Sequence, residues 1–452
     1  MPFYTKISSL FPGRLTRAQY LMIGYLLFTS VGASLLMLPL SSTQGESLSL
    51  DNALFTITSA ISGSGLTPVD IGSYFSSFGE IVILIFIQVG NVGYMLFFAL
   101  AVIFFGGRLS LANRLMIKES ISYGSIDIKI FIKKVFKYTV IIEFICAVLL
   151  TLYWTQFFPL LTAIKHGVFH SVSAFCTAGF SLFPDNLISY RDSYFINLVI
   201  ILTCYAGACG FYVLYDISIY TKCFLSKKTR GRLSVHTKTV LTVSSLIIIT
   251  ATLYLFIFEN NIPSSGIDKH FLHSFFQSAS ASTTVGYNSV DLGKMNDSSL
   301  FMLVPVMFIG ASPSGTGGGI KTTVFVLMLI SLFTFLKDRK NINLFKRNIP
   351  STIINKAFSI GLLAVSWLFL SALIISIVES HPFINILFEC ASAFGNVGLS
   401  TGITPSLTPL SKIFLSLTML MGRVGPLLVG YTIFGTPKPE NYQYPEANIL
   451  IV

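Results

Sequence analysis

The chain has 452 residues, of which 53% are hydrophobic and only 11% are charged. A soluble domain needs about 25% charged residues, so this composition excludes a soluble protein. The net charge of +11 is not evidence for nucleic-acid binding, because most lysines and arginines lie in loops that alternate with acidic loops. This alternation is the positive-inside pattern of a protein that crosses a membrane several times.

The basic segments predict the orientation in the membrane. They are residues 1–17, 108–137, 222–238 and 337–356. Because basic loops stay on the cytoplasmic side, we expect these segments and both chain termini in the cytoplasm. Acidic residues would then face the outside, where they concentrate cations near a pore mouth.

Apolar runs recur along the chain, and most approach the roughly 20 residues that cross a bilayer. They are residues 20–40, 81–105, 135–154, 195–215, 240–258, 300–309, 324–336, 358–378 and 413–433. Between them lie apolar helices of about ten residues, which are too short to span. Non-helical backbone beside such helices is tolerated at membrane depth only inside protein or along a watery path, so we expect re-entrant loops.

One sequence frame occurs four times between these runs. A Phe stands ten residues, and a Ser-Ala pair six and five residues, before a glycine. The four glycines are 107 to 114 residues apart and are Gly65, Gly179, Gly286 and Gly398. Packing of helices through small residues would explain one copy, but four copies, each between two apolar runs, indicate an internal repeat.

The repeats predict the fold class and the boundaries of the units. We expect an all-α membrane protein of four span–pore-loop–span repeats, with eight transmembrane helices and four re-entrant pore loops around one central pore. The predicted repeats are residues 18–106, 130–221, 238–336 and 354–435, between a cytoplasmic N-terminus (1–17) and a C-terminal tail (436–452).

The third copy of the frame ends in a Thr-Thr-Val-Gly-Tyr run, residues 283–287, which is typical of backbone that points carbonyl oxygens into a pore. Glycine permits φ values that other residues avoid, and rings of carbonyls replace the water shell of a K⁺ ion. K⁺ is therefore the predicted metal ion, bound by backbone carbonyls. The predicted filter residues are Ser64, Gly65, Ala178, Gly179, Val285, Gly286, Val397 and Gly398.

A glycine-rich loop (residues 310–323) interrupts the apolar sequence of the third repeat. Its five glycines and one proline cannot sustain a helix, so we predict a flexible gate on the cytoplasmic side of the filter. A phosphate-binding loop needs Gly-Lys-[Ser/Thr] without interruption, whereas Ile320 separates Gly319 from Lys321. A helix kink is the remaining alternative. The predicted gate residues are Gly310, Ser312, Pro313, Ser314, Gly315, Thr316, Gly317, Gly318, Gly319, Lys321 and Arg423.

Arg423, Glu143, Asp216 and Glu389 are ionisable residues within or beside the apolar runs and short helices. A charged side chain such as that of Arg423 is energetically costly in an apolar segment and indicates function. It would bind backbone carbonyls of the glycine-rich loop or repel cations. The alternative is that the side chain snorkels to the inner membrane interface. For Glu143 and Asp216 we expect structural pairing near an interface. Glu389, in the fourth short helix, is expected to order the filter from behind.

These features resemble the Trk/Ktr/HKT superfamily of K⁺ transporters, and most closely its Ktr-type pore-forming subunits (KtrB). The resemblance covers residues 14–435 and rests on the four glycines, the run at 312–322 and Arg423. It implies a homodimer of pore subunits in a bacterial inner membrane, each protomer with its own pore. It also implies a separate cytosolic, KtrA-like nucleotide-binding regulatory subunit, and a dependence on Na⁺ as a coupling or activating ion.

The sequence therefore predicts a gated K⁺ uptake pore and not an enzyme. It contains no Walker motif and no catalytic cluster, its six cysteines are expected to be reduced, and its six histidines have no metal-binding spacing. No covalent cofactor is expected. The alternative is a secondary transporter for another monovalent cation such as Na⁺ or ammonium. Many such proteins use inverted repeats, whereas the repeats here run in the same sense.

Overall fold

The structure is a computed structural model that describes residues 17–93, 128–226, 232–339 and 341–434. Several predicted segments lie outside the described residues, wholly or in part. They are the N-terminus except Arg17, the end of the 81–105 run, residues 108–127, 227–231 and 340 of three basic segments, and the C-terminal tail.

Nearly every element in the described residues is a helix, and each quarter of the chain repeats the order long helix, short helix, non-helical segment, helix. The helices of the first two quarters are α1 (Arg17–Leu36), α2 (Leu50–Ser62), α3 (Ile71–Tyr74), α4 (Ser77–Val92), α5 (Ile128–Trp154), α6 (Leu160–Phe175), α7 (Tyr194–Ala208) and α8 (Phe211–Ser226).

The third and fourth quarters follow the same order, with a hairpin between them. Their elements are α9 (Val235–Phe258), α10 (Ile267–Thr283), α11 (Asp297–Ile309), α12 (Thr322–Leu336), β1 (Asn343–Leu344), β2 (Arg347–Asn348), α13 (Ser351–Val378), α14 (Phe383–Gly395), α15 (Pro409–Val424) and α16 (Pro426–Phe434). In the antiparallel hairpin, Asn343 pairs with Asn348 and Leu344 with Arg347.

The short helices α2, α6, α10 and α14 form the centre of the fold. Their C-terminal halves are buried on nearly every side; in α10 each residue from 276 to 283 is buried, serines and threonines included. A helix buried all round must be enclosed by other protein. The longer helices provide that enclosure and carry the apolar residues that remain exposed.

The exposed apolar surface fits a lipid environment. By length and composition, three helices in the described residues can cross a membrane (α5, α9 and α13), and α7 with α8 would be a fourth, broken span. Phe144, Leu246 and Leu362 are each more than half exposed on these long helices. Exposed apolar patches of this extent are rare on soluble monomers.

Polar contacts join neighbouring quarters in cyclic order. Lys165 Nζ of α6 lies 2.6 Å from Glu80 Oε2 of α4, and Lys269 Nζ of α10 donates to the Asp192 carbonyl beside α7 at 2.6 Å. The last quarter returns to the first, because Lys412 Nζ of α15 donates to Asn52 Oδ1 of α2 at 2.7 Å. The quarters thus surround a common centre.

Two apolar runs that the sequence predicts as single spans are each two helices in the structure. The 195–215 run bends by 99° between α7 and α8, at Gly210, and the 413–433 run is interrupted at Gly425; both glycines have φ near 95°. A residue in this region of φ cannot continue a right-handed helix. Both runs are therefore broken at a glycine, as the third repeat is broken at its glycine-rich loop.

Candidate functional site

Each short helix ends in a segment with two left-handed residues, and we name residues 63–66, 177–180, 284–287 and 396–399 the filter segments. The four predicted glycines have φ between 66° and 95°. Two residues before each glycine, a second left-handed residue begins the segment; these are Gly63, Thr177, Thr284 and Asn396, with φ between 50° and 73°. Only glycine adopts the second turn without strain, which is why the frame keeps it.

The four filter segments lie against one another in a closed ring. A Cβ atom added to Gly65 would overlap the carbonyl oxygen of Ala178, and one on Gly179 would overlap that of Val285. Likewise, a Cβ atom on Gly286 would overlap the carbonyl oxygen of Val397, and one on Gly398 would overlap that of Ser64. The structure therefore brings all eight predicted filter residues together, with each glycine in contact with the carbonyl of the next segment.

The repeated serine of the frame holds each segment in place. The residue before each glycine donates its backbone N–H to the carbonyl of that serine, as in Ala178 to Ser173 at 2.8 Å. The hydroxyls of Ser173 and Ser280 also donate to the carbonyls just after the glycines, at 2.9 and 2.6 Å. In the fourth segment the Gly398 N–H donates to Ser392 Oγ at 3.0 Å. The serine thus fixes the direction of the segment's backbone.

The glycine-rich loop reaches the filter segments from the side of the short-helix ends. Thr316 Oγ1 donates to the Phe175 carbonyl at 3.0 Å and accepts from Thr177 Oγ1 at 3.1 Å. A Cβ atom added to Gly317 would overlap Thr284 Oγ1, and one added to Gly318 would overlap Asn396 Nδ2. Residues 316–318 therefore lie directly against the ring.

Another part of the loop rests on the bend between α7 and α8. Ser312 N donates to the Ala208 carbonyl at 3.1 Å, and Phe211 N donates to the Ser314 carbonyl at 3.0 Å. A Cβ atom added to Gly210 would meet the Pro313 carbonyl at 2.5 Å. The predicted gate residues 312–315 thus contact the second quarter.

Two cationic side chains bind the loop backbone. Arg423 donates from Nη1 to the Thr316 carbonyl and from Nη2 to the carbonyls of Gly90 and Asn91, at 3.0 and 2.6 Å. Lys321 Nζ donates to the Gly317 carbonyl at 2.6 Å and to that of Gly318 at 3.3 Å. Arg423 therefore joins the loop to the end of α4, which is the first of the two roles predicted for it.

A cavity adjoins the ring on the opposite side from the loop. Gly65 and Gly179 border it, together with residues that follow the filter segments, among them Asp70, Phe183 and Asn186. The ring thus has a recess on one side and the glycine-rich loop on the other. An ion moving through the ring would meet the loop.

The sequence of the chain matches a known protein family. The TrkH family of cation transport proteins matches residues 15–441. The chain belongs to this family. The resemblance predicted from the four glycines, the loop and Arg423 is confirmed.

Individual relatives of this TrkH-family chain cover almost its whole length. It is 36% identical over 441 residues to the Ktr system potassium uptake protein B of Bacillus subtilis, and the aligned region covers 96% of this chain and 97% of the relative. It is 33% identical over 423 residues to the protein of the same name from Vibrio alginolyticus, covering 92% and 91%. The crystal structure of the potassium transporter TrkH from Vibrio parahaemolyticus superposes with a TM-score of 0.72 at 19% identity, over 94% of this chain and 87% of that one. The expected helical membrane fold is confirmed at that level.

Two buried side chains form hydrogen bonds on the side of the ring away from the glycine-rich loop in this TrkH-family chain. Tyr287 is fully buried and donates its hydroxyl to the Phe180 carbonyl at 3.0 Å, which links the third filter segment to the second. Glu389 accepts from the Thr401 N–H and the Thr404 hydroxyl, at 3.1 and 3.0 Å, just beyond the fourth segment. Glu389 lies where the sequence predicts it, whereas the link through Tyr287 could not be read from the sequence.

The remaining ionisable residues have structural partners. Glu143 accepts from Gln88 Nε2 at 3.1 Å. Asp216 accepts from Ser234 N at 2.9 Å and from Thr237 Oγ1 at 2.6 Å. In the part of the chain that the structure describes, no group of three His, Cys, Asp or Glu residues could hold a metal ion. Glu143 Oε1 also accepts from Cys176 Sγ at 4.0 Å, directly before the second filter segment, so this carboxylate lies beside the ring.

Proposed function

We propose that this chain is the ion-translocating subunit of a K⁺ uptake system and forms a gated, K⁺-selective pore. The ring of carbonyls beside Gly65, Gly179, Gly286 and Gly398 carries the proposal, because rings of carbonyls replace the hydration shell of K⁺. The names of the two relatives, potassium uptake proteins of Ktr systems, support K⁺ as the transported ion.

The pore passes between four pseudo-equivalent quarters. Each predicted repeat contributes two spans and one re-entrant loop, giving eight spans and four pore loops, and the filter oxygens belong to Ser64, Ala178, Val285 and Val397. The cyclic polar contacts between quarters support this arrangement. The positive-inside pattern of the basic segments supports a location in a bacterial inner membrane with both termini in the cytoplasm.

The glycine-rich loop is the gate of this pore. It lies against the ring on the side of the short-helix ends, which the positive-inside pattern makes the cytoplasmic side. Arg423 and Lys321 hold it there through carbonyl oxygens of residues 316–318. Their withdrawal frees the loop, so that K⁺ passes.

Opening requires a partner that pulls on this arrangement. We infer that two copies of the chain associate, each with its own pore, and that a separate cytosolic, KtrA-like nucleotide-binding subunit docks on the basic segments. Na⁺ acts as a coupling or activating ion. The basic charge of residues 222–238 and 337–356 supports the docking.

Growth of a bacterial strain that lacks its own K⁺ uptake systems tests the proposed function. Expression of the chain should restore growth at low external K⁺ and uptake of radioactive rubidium, and co-expression of a cytosolic nucleotide-binding partner should increase both. The empty vector and membranes probed for the chain are the controls. Absence of growth and uptake, with the chain present in the membrane, would contradict the proposal. Uptake of Na⁺ or ammonium instead would favour a secondary transporter.

A further inference from the structure

A carboxyl group in the middle of α5 lies beside the second filter segment. Glu143 Oε2 accepts a hydrogen bond from Gln88 Nε2 of α4 at 3.1 Å. Glu143 Oε1 lies 4.0 Å from the Sγ atom of Cys176, which follows α6 and directly precedes Thr177 of the filter segment. The amide oxygen of Gln88 accepts from the same thiol at 3.3 Å. This polar cluster therefore joins α4, α5 and α6 next to the ring.

The open side of Glu143 faces an apolar surface. Glu143 is partly buried, and its neighbours Val140, Ile141 and Phe144 on α5 are exposed apolar residues. Because α5 is long and apolar enough to cross a membrane, this surface meets lipid and not water. An ionised carboxylate is costly at membrane depth unless a cation or several hydrogen-bond donors neutralise it.

Other buried carboxylates of the fold have the partners that an ionised group needs. Glu80 lies 2.6 Å from Lys165 Nζ, and Glu389 accepts from one backbone N–H and two hydroxyl groups. Within the described residues, Glu143 has only the Gln88 amide and one weak thiol donor. A protonated carboxyl suits this site better, because its O–H can donate to the amide oxygen of Gln88 while the amide nitrogen donates to the other carboxyl oxygen.

In the part of the chain that the structure describes, no cationic side chain forms an ion pair with Glu143. The groups that face it are thiols, those of Cys176 after α6 and of Cys146 one turn further along α5. The titratable and charged groups of the helices around it have other partners or positions. They are Lys133, Lys134 and Lys137 near the start of α5, Glu80 and Lys165 with each other, His166 and His170 against Trp154, Cys204 of α7 beside Cys146, Tyr215 under Lys134, Asp216 with Ser234, and Arg423 on the carbonyls of Gly90 and Asn91.

We propose that Glu143 is a proton-binding site that sets the charge beside the filter. With the proton bound, the acid pairs with the Gln88 amide and the second filter segment has a neutral neighbour. Release of the proton leaves a carboxylate next to Cys176, and its negative charge stabilises a monovalent cation in the ring. The affinity of the pore for K⁺ therefore increases with pH through this group. The inference rests on the proposed function, since it concerns ions in the proposed ring.

Uptake of radioactive rubidium into liposomes that contain the full chain tests the effect on the pore, with the same pH on both sides. The apparent KM of the wild-type chain should fall about threefold to tenfold from acidic to alkaline pH. Glu143→Gln keeps a neutral partner for Gln88 but has no proton to lose, so its KM should stay at the acidic value throughout. Glu143→Asp keeps the carboxyl and should keep a shift. Glu46→Gln, in an exposed loop, is the control and should keep the full wild-type shift.

Infrared difference spectra between acidic and alkaline pH test the proton itself, without transport. The wild-type chain should show the C=O stretching band of a protonated carboxyl, which is lost in Glu143→Gln. In Gln88→Leu the band should move to higher wavenumber, because the hydrogen bond from the amide is gone. A KM that shifts equally in the wild-type chain and Glu143→Gln, or carboxyl bands that coincide in the two, would overturn the proton-binding site. A wild-type chain that shows the band but takes up no rubidium would overturn the proposed function instead.

Discussion

At the scale of single residues, Arg423 shows how a charge can be kept within an apolar helix. Its guanidinium donates to three backbone carbonyls, one from the loop and two from the end of α4. A planar group with five donors on three nitrogens suits such a divergent set better than the single nitrogen of a lysine. The sequence predicted the residue because charges in apolar runs are costly, but the partners in α4 are 332 and 333 positions away and could not be foreseen.

Arg423→Gln should increase K⁺ flux into liposomes. Hydrogen bonds to charged groups contribute about 1.5–3 kcal/mol each, so loss of the bond to the loop should raise the open fraction about ten- to one-hundred-fold. Arg347→Gln, on the exposed hairpin, is the control and should leave the flux at the wild-type value. Unaltered flux in Arg423→Gln would instead support an arginine that only reaches toward the inner interface.

At the scale of elements, the loop and the bent helix α7–α8 form one unit. Backbone hydrogen bonds from Ser312 and Phe211 join the loop to the bend, so a movement of α8 would be transmitted to the loop. The loop itself was predictable, because five glycines and a proline exclude a helix. The bend at Gly210 was not, since one glycine within a continuous apolar run is compatible with a straight helix.

Deletion of residues 312–318 should raise K⁺ flux in liposomes well above that of the wild-type chain, because the segment that lies against the ring is gone. The exposed hairpin residues 343–348 are a deletion of similar length away from the pore, and their removal should leave the flux of the isolated chain unchanged. Flux that is equal or lower after deletion of 312–318, in a variant that elutes as a single species, would favour a simple kink over a gate.

At the scale of the whole molecule, four weakly similar segments in one chain form a ring that would otherwise need four subunits. The frame of Phe, Ser-Ala and Gly was recognisable because the same backbone is needed four times. The first left-handed position of each filter segment was not recognised, since Gly63, Thr177, Thr284 and Asn396 share a backbone conformation and not a side chain. Sequence repetition therefore reveals shared geometry and misses chemistry that differs between the quarters.

The measurement that tests the central claim most directly is the K⁺/Na⁺ permeability ratio of glycine variants across the ring. Gly65→Ser, Gly179→Ser, Gly286→Ser and Gly398→Ser each place a side chain against a neighbouring carbonyl. Each should lower the ratio about tenfold or more, which corresponds to about 1.4 kcal/mol of discrimination. Gly402→Ser is the matched control, because Gly402 also has a positive φ, of 92°, but open space around its Cβ position; it should keep the wild-type ratio. An unchanged ratio in all four ring variants would contradict a selective pore formed by these segments.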